Sequence, residues 1–448
     1  MERVRQPAVA GLFYPADEGG LRAALAQHVR LAAWPIDAKA IIAPHAGYVY
    51  SGPIAGQVYA ALAHRADQIR RVVLLGPAHR LGFRGIAAPT AQAFATPLGL
   101  VPVDGAAIAS LLDIPGVMLL EPAFENEHGI EVHLPFLQHV LHDFSVVPLV
   151  VGDATQETVE VVLTRLWGGP ETLIVISSDL SHYERYERAR ALDGATMKLI
   201  ETHRHDRLET QFACGQRAIS GLLRRAAALD LRVTTLDVRN SGDTAGDRDR
   251  VVGYGACTLE YAETARLPDD HRALLHRAVR QALDQTARQA EITLALNTIP
   301  TPLLSARRTF VTLRTADGQL RGCTGSLDHG EPLIVNVLKS AIRAAAADPR
   351  FKRVSPEEAA SLGVGISILS HDRPIAADSE QALIDNLRPD HDGLIIRDQG
   401  RDALFLPQVW EALPDPRAFV RHLKAKAGLP ADHWSPTVQA WRFTTESF

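Results

Sequence analysis

Three apolar runs in the first half of the chain each end in residues that hold metals or move protons. Ala40-Ile41-Ile42-Ala43 leads into Pro44-His45-Ala46-Gly47-Tyr48. Arg71-Val72-Val73-Leu74-Leu75 leads into Gly76-Pro77-Ala78-His79-Arg80. Thr172-Leu173-Ile174-Val175-Ile176 leads into Ser177-Ser178-Asp179-Leu180-Ser181-His182-Tyr183. In an open α/β sheet, ligands bind beyond the carboxyl ends of the strands, where side chains converge on one crevice. If these runs are parallel neighbours, His45, His79, Asp179 and His182 face a single pocket. The flanking glycines and prolines suit a sharp turn at each strand end. Two imidazoles and a carboxylate with open positions suit a divalent iron that activates oxygen, and the same set with a bound water suits zinc hydrolysis. An imidazole titrating near neutral pH fits His182 as an acid/base beside the substrate.

A further candidate segment is Phe124-Glu125-Asn126-Glu127-His128-Gly129-Ile130-Glu131-Val132-His133-Leu134-Pro135. His128 and Glu131 are three apart and share a helical face if the segment is helical. Glu131 and His133 join Asp179 and His182 as candidate catalytic groups that orient a ligand or shuttle protons. The spacing is not HExxH, which argues against a zincin protease. A polar, glycine-rich loop, Asn240-Ser241-Gly242-Asp243-Thr244-Ala245-Gly246-Asp247, can bring Asp243 or Thr244 to the same crevice. The three cysteines, Cys214, Cys257 and Cys323, are widely separated and form neither a CxxC knuckle nor a disulfide framework. They are too few for an iron–sulfur cluster, which usually needs about four thiolates. Cys214 and Cys257 read as core residues, and Cys323, in a strand between Gly322 and Thr324, as a small buried hydrophobe.

The elements that must position these residues alternate. Nearly continuous apolar strands, including Ser145 to Val150, are separated by helical stretches at Ile54 to Ala63, Glu131 to Leu141 and Glu187 to Glu201. This pattern predicts an α/β sheet covered on both faces, closing with a strand over Val251 to Leu259. A polar break at Glu263 to Asp270 marks a boundary near residue 265, giving domains over 1–264 and 265–448. The second half has another grammar. It opens with a helix from His271 to about Ala290. A hairpin follows, over Arg308 to Arg314 and Gln319 to Ser326, turning at Asp317-Gly318. Ser355-Pro356-Glu357-Glu358 is a helix start with a capping box. Hairpins mixed with helices predict α+β.

Composition narrows the partners. With 46% hydrophobic and 22% charged residues, the 448-residue chain is an ordinary globular mixture with material for more than one core. A formal charge of -5 supplies no global field for nucleic acid. No stretch approaches the roughly 20 apolar residues of a membrane helix, and the first residues lack the apolar centre of a signal peptide, so a cytoplasmic location is expected.

The motifs then become specific. Pro44 to Gly52, Gly76 to His79, Asn126 to Phe136 and Ser177 to Tyr183 together resemble the Memo family, over about residues 3 to 262. The resemblance implies a fold similar to the class III extradiol dioxygenases, in which two histidines and an acidic residue bind non-haem iron. It puts His45 and His79 on the family's two metal-ligand histidines and His182 on the histidine near them. Animal members carry a cysteine in the final loop where counting back from Tyr254 gives Thr244. Thr244 and its neighbour Asp243 are therefore the candidates for the third ligand. Leu320-Arg321-Gly322-Cys323-Thr324-Gly325-Ser326, Ala345 to Phe351, Leu404 to Glu411 and Lys426 to Pro430 resemble the AMMECR family, over about residues 268 to 448. The two halves are similar to two components of the AmmeMemoRadiSam set, which implies a separate radical SAM protein as partner.

The expectation is a metal-dependent redox enzyme, extradiol dioxygenase-like, acting on a small organic or covalently modified substrate. Its divalent metal is expected to be iron, with copper or zinc as alternatives. Two other readings stay open: a non-catalytic metal-binding or scaffold protein serving the radical SAM partner, and a zinc hydrolase.

Overall fold

The computed structural model describes residues 3–29, 35–209, 211–290, 299–326, 331–370, 372–376 and 378–448. The chain divides into two compact units, residues 1–265 and 266–448.

The first unit is built on a mixed sheet. In chain order its strands are β1 (Ala40–Ala43), β2 (Arg71–Pro77), β3 (Ile86–Ala88), β4 (Val117–Leu119), β5 (Ser145–Val151), β6 (Thr172–Ser177), β7 (His182–Glu184), β8 (Leu231–Asn240) and β9 (Val251–Tyr261). The spatial order is β7-β9-β1-β6-β2-β5-β3-β4, with β8 paired to β9. The central four, β1, β6, β2 and β5, run parallel. The long strands β8 and β9 close one side as an antiparallel pair.

Alternation along each strand divides the core in two, because successive side chains point to opposite faces. Ile41, Val72, Leu74, Leu173 and Val175 pack with Tyr48, Val58, Tyr59, Leu134 and Phe136 on one face. Ile42, Val73, Leu75, Ile174 and Ile176 pack with Val162, Leu163, Ile219, Leu222 and Leu223 on the other. Each fully buried aliphatic side chain contributes roughly 1.5–3 kcal/mol. The helices that cover the two faces are α1 (Glu18–His28), α2 (Tyr48–Ala60), α3 (Leu134–Val140), α4 (Gln156–Leu166), α5 (Tyr186–Glu201) and α6 (Gln216–Leu229).

Two helix boundaries differ from expectation, each for a physical reason. Helix α2 begins at Tyr48, not Ile54, and runs through Pro53. Tyr48 is buried against Tyr14 and Phe136, with ring centroids 5.5 and 4.7 Å away, and that packing outweighs the one backbone bond Pro53 forgoes. The stretch expected as one helix from Glu131 is divided into a single turn at His128–Glu131 and the separate helix α3. Pro135 has no N–H to give, so it opens a new helix in its first turn instead of continuing the old one.

The second unit is antiparallel. Its strands β10 (Thr309–Arg314), β11 (Leu320–Ser326), β12 (Gly363–Leu369), β13 (Arg373–Ile375), β14 (Gly393–Asp398), β15 (Arg401–Phe405), β16 (Gln439–Phe443) and β17 (Thr445–Ser447) form two four-stranded sheets, ordered β11-β10-β12-β17 and β13-β16-β14-β15. The β10–β11 hairpin turns where Gly318 takes a φ of 84°. Helices α7 (Asp269–Ala287) and α8 (Leu333–Ala346) cover the first sheet through Leu275, Val279, Ile334, Val337 and Ala341. The short helix Pro356–Ser361 starts with the expected capping box between Ser355 and Glu358. No described helix of the chain is long and apolar enough to cross a membrane.

Candidate metal centre

Strands β1, β6 and β2 are parallel neighbours, and Ala43 pairs with Ser177 in register. His45 therefore leaves β1 beside Asp179 from β6, and His79 leaves β2 on the other side of that strand. The rings of His45 and His79 lie 4.9 Å apart, edge to face. A third imidazole completes the group. His128, at the start of the one-turn helix, stacks on His79 at 4.5 Å and lies 5.4 Å from His45. One ring nitrogen from each histidine lies within 4.8 Å of the others. Gly129 lies against the group: a Cβ there would be tight only to Glu127 Oε1, at 3.2 Å, and in ordinary contact with the His79 ring at 3.5 Å and His45 Nδ1 at 3.6 Å.

The electrostatics suit a cation. Burial, reinforced by the neighbouring histidines, holds His45 well below the usual imidazole range. Burial and His79 push His128 down to about 4. Both rings are neutral at physiological pH, with lone pairs free of protons, the form in which imidazole binds metals. Glu127 orients His79: its carboxylate accepts from His79 Nδ1 at 2.8 Å, from the His79 amide at 2.7 Å and from the Gly129 amide at 2.8 Å. Burial opposes ionisation of Glu127, but the bonds from His79 and Gly129 outweigh it and keep its pKa below the ordinary value. Because a carboxylate only accepts, Nδ1 carries the hydrogen and Nε2 of His79 keeps its lone pair. A carboxylate behind a histidine in this way fixes the tautomer and raises ligand basicity. Nδ1 of His128 is buried without a hydrogen-bond partner. The donor set thus fits a divalent metal.

Around His45 lie further groups. Asp179 Oδ1 accepts from the His45 amide at 2.8 Å, and Oδ2 is 4.0 Å from His45 Nε2. Burial raises the Asp179 carboxyl to about 7 against these amide bonds. Cys214 Sγ is 3.3 Å from His45 Nε2, and burial and Asp179 push its thiol up to about 12. His182 stands at the exposed rim, where desolvation and then His79 lower its pKa against a hydrogen bond between His182 and the Leu180 backbone.

Four of the residues singled out in the sequence lie elsewhere. Glu131 is fully buried and saturated: it accepts from Arg5, the Ala8 and Val9 amides and the Tyr14 hydroxyl. His133 is also buried, with Nδ1 2.9 Å from the Tyr59 hydroxyl, in the core beneath α2. Asp243 accepts from the Tyr186 hydroxyl and the Asn240 amide, closing a capping box, and the Thr244 hydroxyl bonds to Ser241 O. Asp243 and Thr244 line a groove of about 650 Å³ with Phe13, His28, Val49 and Arg239, apart from the three-histidine group. Within the loop each Asp243 oxygen takes one hydrogen bond, and the Thr244 hydroxyl is spent as a donor.

His128, Glu127 and Cys214 emerge from the geometry with roles that sequence reasoning did not settle on. The signal for the first two was Glu-His-Gly at a helix start, where an N-cap carboxylate faces the loop side. For Cys214 there was none, since an isolated cysteine before a helix reads as core.

With the site in view, the chain belongs to the Memo family: residues 5–258 match the profile described as Memo-like protein, and residues 276–448 match that of AMMECR1. Among its relatives are MEMO1 family proteins from Methanosarcina mazei, 37% identical over 57% of this chain and 99% of their own, and from Aquifex aeolicus, 35% identical over 56% and 97%. The crystal structure of an uncharacterized protein from Pyrococcus horikoshii aligns with 40% of this chain and 92% of its own at 29% identity, with a TM-score of 0.38.

Proposed function

We propose that the strand-end histidines form a divalent-metal centre for redox chemistry on a small organic or covalently modified substrate, in the manner of the class III extradiol dioxygenases. The observation that carries this reading is the convergence of His45, His79 and His128, with Glu127 locking the tautomer of His79. The metal, iron before copper or zinc, would supply Lewis acidity and redox capacity. His45, His79 and His128 would hold it. His182, at the open rim, holds or moves a proton on the substrate, and Asp179, titrating near neutrality, fixes the His45 backbone through its amide. A radical SAM protein of the AmmeMemoRadiSam set is the proposed partner. The AMMECR1 domain in the same chain supports that pairing.

The test is metal analysis of anaerobically purified protein beside the His45→Ala/His79→Ala variant. About one equivalent of metal, lost in the folded variant, is expected. Equal metal content in both proteins, or none in either after anaerobic reconstitution, would overturn the reading. Tight partner binding with bound metal and no turnover would favour the scaffold role.

A further inference from the structure

We infer that Cys214 supplies a thiolate ligand to the metal held by His45, an inference that rests on the metal reading above. The argument begins with a proton. Ser177 Oγ lies between His45 Nδ1, at 2.6 Å, and the carbonyl of Gly129, at 2.5 Å. A hydroxyl has one hydrogen. The Gly129 carbonyl can only accept, so it receives that hydrogen, and toward His45 the serine oxygen accepts. Nδ1 therefore carries the imidazole hydrogen, and the lone pair of His45 is on Nε2.

That lone pair faces sulfur. Cys214 Sγ is 3.3 Å from Nε2, and Asp179 Oδ2 is 4.0 Å from the same nitrogen. The side chains of His45 and Asp179 are only 1% and 6% exposed and Cys214 is half-buried, so the His45–Cys214 contact is largely shielded from solvent. A zinc-type ion bonds imidazole nitrogen at about 2.0–2.1 Å and thiolate sulfur at about 2.3 Å, which sets the two atoms roughly 3.3–3.6 Å apart at near-tetrahedral angles. The separation between His45 and Cys214 already matches that bite. The Asp179 amide donates to Sγ at 3.2 Å and offsets part of the burial and Asp179 charge that keep the thiol protonated, so it is the cation's own charge that would displace the proton. On binding, the metal takes the place of the thiol hydrogen, which leaves to solvent as a proton.

The chain position of Cys214 explains how it arrives. Its amide bonds to Asp179 O at 3.2 Å, and Gly215 N donates to Ser178 Oγ at 2.9 Å. Gly215 is the N-cap of α6, and a Cβ there would come within 2.7 Å of Ser177 O. The segment before α6 is thus clasped to the end of β6, and the cysteine is carried to the histidine from a third part of the chain.

The experiment is cobalt(II) titration of metal-free, full-length protein in a Cys323→Ser background, which leaves Cys214 and the fully buried Cys257. Thiolate bound to cobalt gives a near-ultraviolet charge-transfer band that imidazole and carboxylate ligands do not. The expected result is one such band growing to one equivalent. With Cys214→Ser added, the band is lost and cobalt binds about tenfold or more weakly, while the metal-free thermal melt is unchanged. Cobalt bound at one equivalent with no such band would overturn the thiolate and leave the histidine centre standing. An identical band in the Cys214→Ser protein would do the same. Absence of cobalt binding altogether would remove both readings. If Cys214→Ser does not fold, the spectrum of the Cys323→Ser protein decides alone, because Cys257 is sealed in the core.

Discussion

Two acid–histidine pairs lie within seven residues of each other, and the fold uses them in opposite ways. Glu127 and His128 sit at the mouth of a one-turn helix and face the strand ends, where the carboxylate steadies His79 and the imidazole joins the cluster. Glu131 and His133 come a turn later and point into the core, where the first ties down Arg5 to Tyr14 and the second packs under Tyr59. Both carboxylates are buried, so burial does not tell a ligand-orienting acid from a structural one. Their partners do. Glu127 accepts from an imidazole whose other nitrogen is still available. Glu131 has its lone pairs filled by a guanidinium, a phenol and two amides.

The sharpest way to break this contrast is to remove Glu131. Glu131→Ala leaves Arg5, 7% exposed, as an uncompensated buried charge, and losing one partner of a buried pair costs about 3–5 kcal/mol. Urea unfolding of the metal-free protein should show that loss, with metal per folded molecule unchanged. A variant of normal stability that no longer bound metal would reverse the assignment. Glu127→Gln is the next largest. It should lower metal affinity about 10–100-fold by releasing the tautomer of His79, measured by competition with a chelator, with a smaller effect on unfolding.

The smallest effect separates the two pairs by pH. Burial drives His133 down to about 3. Its folded pKa lies below the unfolded value of about 6.5, so its contribution to stability is complete above that pH and lost as pH falls toward 3. Each proton taken up only by the unfolded chain steepens the pH dependence by about 1.4 kcal/mol per unit. In metal-free protein between pH 6 and 4, His133→Gln should flatten the slope by about one such proton. An unchanged slope would mean that His133 is not the buried neutral group described.

This contrast also marks what could be read in advance. His45 and His79 were legible because apolar strands punctuated by Pro and Gly place the next polar residue at a sheet's carboxyl edge. The α/β alternation, a closing strand over Val251 to Leu259 and the β10–β11 hairpin followed from period and turn chemistry, whereas the antiparallel direction of that strand did not. The choice between Glu127–His128 and Glu131–His133 was not legible, because helical spacing groups residues by face without saying which face meets the sheet. Pro135 divides the segment, and only the packing of α3 sets the phase of each part. The turn that Asp243 and Thr244 close with Asn240 and Ser241 places them on a groove outside the three-histidine group, which residue type alone does not reveal. Cys214 needed the clasp between Gly215 and Ser178, a contact spanning 37 positions that no local pattern encodes.

The anchoring of Arg5 to Tyr14 has a consequence in time. This stretch has little regular structure, and loops of that kind ordinarily exchange their amide hydrogens with water quickly. Yet the hydrogens of Ala8 and Val9 end on Glu131, and Phe13, from the same stretch, lies 4.9 Å from the ring of His128. Deuterium should therefore enter Ala8 and Val9 on the schedule of the core. One wall of the histidine cluster then opens only as often as a buried carboxylate lets go.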